Sequence, residues 1–164
     1  MRVHTRQEKA AAADLANRKF EVLLPIRKER RKWSDRVKTV EIAMFPGYLF
    51  VHTLLTAQRR VDMLKVHQTY DLVGRVPDDD RIAIAIPDEE IESIRVVLNA
   101  ETQVDPIQRL VPGTRVRVIS GALAGAVGVV EVGPDGRRRL IVQIHLLGRG
   151  VRAQLGGDDV LQDA

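Results

Sequence analysis

The sequence predicts an α+β N-terminal domain, an antiparallel sheet flanked by helices, joined by a linker to a small all-β barrel of the SH3-like kind. Three observations predict it. Short strands mix with two amphipathic helices over the first hundred residues. A polar, proline-containing stretch without periodicity follows. Beyond it the pattern is β throughout, with glycine corners. The expected boundaries are 1–100 for the first domain, 101–110 for the linker and 111–164 for the barrel. At 164 residues the chain is long enough for two small domains.

Val3 and His4 read as the end of a short strand. Thr5-Arg6-Gln7-Glu8 fits a capping box, opening a helix to about Lys19 with Ala11, Ala12, Leu15 and Ala16 on its apolar side. Phe20–Leu24 is β-rich and stops at Pro25. The basic segment that follows reads as a strand-and-loop excursion. Val37–Ile42 alternates as a strand, Met44–Gly47 breaks it, and Tyr48–Val51 resumes it. Thr56 is placed to cap a helix through about Val66. Leu72-Val73 is a brief strand, and Asp78-Asp79-Asp80 a turn. Pro87–Asn99 is the second clear helix, with Asp88, Glu89 and Glu90 at the positive end of its dipole and an apolar stripe of Ile91, Ile94, Val97 and Leu98. In the last third, Arg115–Ile119 alternates strictly and Ala126–Val132 is apolar and β-branched. Gly133-Pro134-Asp135-Gly136 is a hairpin turn. Leu140–Ile144 and Val151–Leu155 supply further strands.

Composition excludes several classes of function. Cysteine is absent, which rules out disulfides, zinc–thiolate sites and iron–sulfur clusters. No apolar run approaches a membrane span, and the first residues lack the apolar core of a secretory signal. The expected setting is therefore the cytoplasm, with no membrane partner. His4, His52, His67 and His145 are scattered, and no pair has metal-ligand spacing. Gly121, Gly125 and Gly128 match neither a dinucleotide fingerprint nor a phosphate loop. No catalytic residue, cofactor or metal is expected, and the chain is read as a non-enzyme.

Charge points instead to a binding role. Residues 1–53 carry 12 basic and 6 acidic groups, residues 54–110 carry 7 and 11, and residues 111–164 carry 7 and 5. The densest run, Arg27–Lys38, holds seven cations against Glu29 and Asp35, with Trp33 among them. Such a run attracts phosphate, and an aromatic within it anchors on a partner or stacks on a base. A solvated surface loop is the competing reading. Phe45, Tyr48 and Phe50, half of the chain's six aromatics, fall within six residues. On a strand Tyr48 and Phe50 share one face, and Leu49 and Val51 the other. With the second pair inward, the first presents an apolar strip of the kind that makes protein-binding hot spots. With the first pair inward, the rings are core. The pattern leaves both open.

Phe45-Pro46-Gly47-Tyr48-Leu49-Phe50-Val51 resembles the central motif of the NusG N-terminal domain. It stands after a helix, a Glu21–Pro25 strand and a basic loop, the order of that family. Pro112–Val118, followed by Gly121, Gly125 and Gly128-Val129-Val130, is similar to the KOW motif, and Leu147-Gly148-Arg149 resembles that domain's Phe-Gly-Arg turn. The resemblance implies an α+β domain, a flexible linker and a five-stranded barrel. It implies a monomeric transcription elongation and antitermination factor that binds RNA polymerase, docking an apolar pocket on the β′ clamp helices and reaching the β gate loop. Bridging the cleft suppresses pausing, and the KOW domain recruits a second partner, Rho or the ribosomal protein NusE.

Carried over by position, Phe45, Tyr48 and Phe50 contribute to the clamp-helix pocket, and Arg59, Arg60 and Asp62 lie near the gate-loop contact. Arg6, Lys9 and Arg18 lie on the side turned toward non-template DNA. Arg30, Arg31 and Lys32, in the basic run, are read as a further nucleic-acid contact. Leu123, Leu147 and Arg149 mark the partner face of the barrel. The chain departs from the family in its short first strand and in two places where barrel-loop phenylalanines are leucines, Leu123 and Leu147. The two leucines point to a specialised paralogue of the RfaH, UpxY and LoaP kind, and the β-branched, glycine-cornered C-terminus is expected to stay a barrel. The alternative is a KOW-type RNA- or ribosome-binding protein, suggested by Arg137, Arg138 and Arg139 at one hairpin.

Overall fold

The first long helix begins without the expected capping box. The computed structural model describes residues 1–32, 36–75, 82–100, 104–107, 113–157 and 159–164. In it, α1 (Glu8–Asn17) has Gln7 at its N-cap with no side-chain cap bond. Arg6 takes φ +71°, and Glu8 turns inward instead of back. Ala11 and Leu15 are buried on the same stripe. At the other end Lys19 stands at φ +66°, its N–H donating to the Ala16 carbonyl and that of Phe20 to Leu15. This is a Schellman ending, with lysine where glycine is usual.

Residues Met1–Ile84 form one compact unit. β1 (Arg2–Val3) pairs antiparallel with β6 (Thr69–Asp71), and β2 (Glu21–Leu23) with β5 (Phe50–His52). Thr56 caps α2 (Ala57–Leu64) by accepting from the Arg59 N–H at 3.2 Å. The expected strand at Leu72-Val73 is displaced to β6. The short pair β7 (Gly74–Arg75) and β8 (Ile82–Ala83) closes the unit. Val3, Ala11, Leu15, Phe20, Leu49, Met63, Val66 and Leu72 make a single buried cluster. Each large member contributes roughly 1.5–3 kcal/mol by leaving water. The basic segment is more regular than expected: β3 (Ile26–Lys32) and β4 (Val37–Ala43) pair without a break from Ile26↔Ala43 to Lys32↔Val37. Trp33 and Asp78–Asp80 lie outside the described residues.

The second compact unit is Ala85–Ala164. Its sheet is antiparallel, in the order β14 (Val160–Asp163), β10 (Arg115–Ser120), β11 (Val127–Val132), β12 (Arg138–Ile144), β13 (Arg149–Gln154) and β9 (Val104–Ile107). Strands β10 to β14 supply the five-stranded SH3-like element. Between β11 and β12 a Cβ at Gly128 would lie 2.3 Å from the Ile141 carbonyl oxygen, so only glycine fits there.

In this second unit two features differ from the sequence reading. Val104–Ile107, inside the segment read as linker, pairs with β13 as an edge strand. An edge tolerates Pro106, which has no N–H to donate. Helix α3 (Asp88–Asn99) packs on β11 and β12, within the barrel's unit. Ile94 and Val97 are fully buried, and the Ser93 hydroxyl accepts from the Val127 N–H at 2.9 Å while donating to the Glu89 carbonyl at 2.7 Å.

Candidate functional site

Phe45-Pro46-Gly47-Tyr48 closes as a β-turn, the Tyr48 N–H donating to the Phe45 carbonyl at 2.9 Å. Gly47 sits at φ +79°, the conformation a type II turn demands at its third position, and Pro46 presets the second. The N-terminal segment holds the turn from one side. The Val3 N–H donates to the Gly47 carbonyl at 2.9 Å, and Arg2 bridges Tyr48. The Met1 ammonium donates to the Leu49 carbonyl at 3.1 Å, and the Leu49 N–H donates to the Met1 carbonyl at 3.2 Å. From the other side Glu8 accepts from the Gly47 N–H at 2.8 Å.

Leu49 and Val51 face the core as the alternation allows, with Leu49 fully buried. The strip opposite is nevertheless not the open surface that reading required. Phe45 is 1% exposed and Phe50 7% exposed, their rings edge to face at 5.5 Å. Only Tyr48 of the three is half-buried.

The remaining sequence-predicted residues lie on several elements. On α2, the Arg59 guanidinium stands 5.0 Å from the centre of the Phe20 ring, a cation–π contact, and Asp62 accepts from the Gln58 side chain at 2.9 Å. Arg60, beside them, is half-buried. On and before α1, Arg6 is exposed, Lys9 pairs with Glu41 of β4 at 2.6 Å, and Arg18 pairs with Asp14 at 3.0 Å. The Lys9 hydrogen bond and charge hold the Glu41 carboxyl below its usual range. Arg30, Arg31 and Lys32 occupy consecutive positions of β3, opposite Thr39, Lys38 and Val37.

In the barrel, Leu123 is fully buried and so does not offer its side chain to a partner. The tight loop around it, with the Ala126 N–H donating to the Leu123 carbonyl at 3.0 Å, turns it into the core. Leu147 and Arg149 are half-buried around Gly148, at φ +62°. Sequence reasoning missed an acidic clasp. Glu89 receives Arg115 at 2.5 Å and Arg117 at 2.6 Å, and Glu90 receives His145 at 2.9 Å. The Arg117 hydrogen bond leads in pulling the Glu89 carboxyl below its usual range. Among the described residues no three His, Asp or Glu side chains gather as a metal site, and no helix is long and apolar enough to cross a membrane.

The family model described as transcription termination factor nusG matches residues 1–95, more than half of the chain and all of the turn just described. The chain belongs to the NusG family. A curated relative, the transcription termination/antitermination protein NusG of Halalkalibacterium halodurans, is 24% identical over 151 residues, 91% of this chain and 83% of that protein. A solved structure described as domain interaction in Thermotoga maritima NusG superposes with a TM-score of 0.51 at 19% identity. It covers 94% of this chain and 89% of that one, a likeness of fold. As a NusG-family protein the chain is a transcription termination/antitermination factor, and such proteins are not enzymes. The NusG match ends inside α3, a helix that here packs with the barrel.

Proposed function

We propose that this NusG-family chain binds RNA polymerase through the Phe45–Phe50 turn, which docks on the β′ clamp helices, while Arg59, Arg60 and Asp62 reach the β gate loop. Holding both sides of the cleft disfavours clamp opening and suppresses pausing, a shift of populations and not a chemical step. The observation that carries this reading is the Pro46-Gly47 turn itself, fixed by partners from two distant segments and lying wholly inside the family match. Because Phe45 and Phe50 are buried, docking requires that the rings be uncovered first. The N-terminal unit, Met1–Ile84, serves as the docking module, and the unit Ala85–Ala164, the barrel with its covering helix, as the recruiting module for Rho or NusE. Leu147 and Arg149 are the recruiting contacts, and Leu123 serves by shaping the separate β10–β11 loop from within. The protein acts in the cytoplasm as a monomer, as a specialised antiterminator of a few operons.

The test is capture of core RNA polymerase by wild type and by Tyr48→Ala with Phe50→Ala. A loss of about tenfold or more is expected, the scale of one hot-spot residue. Equal capture by a folded double variant removes the docking surface. Arg6, Lys9, Arg18, Arg30, Arg31 and Lys32 make the nucleic-acid side. Arg30→Glu with Arg31→Glu flattens the salt dependence of capture if β3 touches phosphates, and leaves it unchanged if the ribbon is only solvated.

One observation favours a second reading. Arg139 is tied to Asp135 at 2.7 Å, but Arg137 and Arg138 beside it are exposed at the β11–β12 hairpin. If the protein binds RNA there, Arg137→Gln with Arg138→Gln lowers its affinity for a single-stranded RNA at low salt; unchanged affinity dismisses the reading.

A further inference from the structure

Glu8 is 6% exposed, an unusual place for a carboxylate. A buried carboxylate is tolerated when it accepts strong hydrogen bonds, and charge-assisted bonds to backbone N–H groups are among the strongest. Glu8 does not spend its oxygens on its own helix. Its Oε1 accepts from the Gly47 N–H at 2.8 Å across 39 residues of chain. Within a type II turn that N–H has no partner of its own, since the turn's internal bond joins the outer two residues. The following peptide, Gly47–Tyr48, is held by the Val3 N–H, which donates to the Gly47 carbonyl, and a Cβ on Gly47 would stand 3.4 Å from Thr5 Oγ1. The next residue, Lys9, reaches out to Glu41 of β4. The first turn of α1 is thus bonded to the aromatic turn by one residue and to the basic ribbon by the next.

We propose that Glu8 is a positioning residue for polymerase docking: its carboxylate fixes the Pro46–Gly47 peptide and thereby the directions in which Phe45, Tyr48 and Phe50 leave the turn. The inference rests on the docking reading above. Without the carboxylate the Gly47 N–H has no acceptor, the Pro46–Gly47 peptide is free to rotate, and the three rings lose their common geometry while α1 keeps its apolar stripe.

The experiment uses the full chain with Glu8→Gln, Glu8→Leu, Glu8→Ala and Tyr48→Ala, each read by hydrogen exchange of the Gly47 amide and by capture of core RNA polymerase. Glutamine keeps an oxygen of the same reach. It is expected to keep the amide protected and capture within about twofold of wild type. Leucine keeps the volume without the acceptor, and alanine removes both; either is expected to lose amide protection and weaken capture about tenfold, the scale of one charge-assisted bond. If the leucine variant does not fold, the alanine variant carries the comparison. Wild-type capture by a folded leucine or alanine variant overturns the proposal while Tyr48→Ala still loses capture. Wild-type capture by Tyr48→Ala overturns the docking reading itself, and this proposal with it.

Discussion

At the scale of single residues, the turn makes unusual demands on its neighbours, and Met1 answers one of them. In a chain that begins at Met1, the ammonium donates to the Leu49 carbonyl from a largely buried position. Burial lowers its pKa from 8.0 to about 6, partly opposed by the Asp71 carboxylate. The folded state therefore binds this proton less tightly than the unfolded one. Stability from this group is complete above pH 8, falls as the pH drops, and is lost below about 6. A shift of this size corresponds to at most about 2–3 kcal/mol. Acetylating the amine keeps an N–H for Leu49 but removes the titration. The acetylated protein should show a flatter dependence of urea midpoint on pH between 6 and 8; equal slopes refute the assignment. Residue roles were the least legible part of the sequence. Thr5 and Glu8 have the spacing of a capping box, yet Glu8 also shares the i, i+3, i+7 stripe of Ala11 and Leu15, and that second pattern decided its direction. No local rule reveals that a glycine N–H 39 residues away waits there.

At the scale of elements, strong periodicity was a good guide and short strands were not. Both amphipathic helices of the first hundred residues stand where their stripes put them, and the Thr56 cap is made. Val104–Ile107 escaped because an edge strand needs neither alternation nor a full set of donors, and Pro106 argues against a strand only in the middle of a sheet. The stripe on α3 announced a partner without saying which sheet it covers. The structure supplies β11 and β12, with Ser93 as the polar pin. Ser93→Ala should cost about 1–3 kcal/mol, because it leaves the buried Val127 N–H without an acceptor. Chemical unfolding measures it, and a change below about 0.5 kcal/mol would show that the pin is dispensable. The surrounding ion pairs of Glu89 are exposed and salt-screened, so they contribute less than Ser93 does.

At the scale of the whole molecule, the order of modules was plain from the chain: mixed α and β first, barrel last, with the family match covering the first 95 residues. Motif order and glycine corners carried that much because they are local. The division between compact units was not legible, since it depends on which face an amphipathic helix finds. Packing places it after Ile84, not after Ala100.

That placement matters to anyone who takes the protein apart. A C-terminal fragment begun at residue 111, where the sequence suggests a cut, would leave behind Ile94, Val97 and Ser93 and uncap the barrel beside Val127 and Val129. Wetted, such a surface seeks company: the 111–164 fragment should self-associate in sedimentation velocity, while a fragment from residue 85 should run as a single species. Should the shorter piece behave equally well, the helix is a passenger on the barrel and not part of its wall.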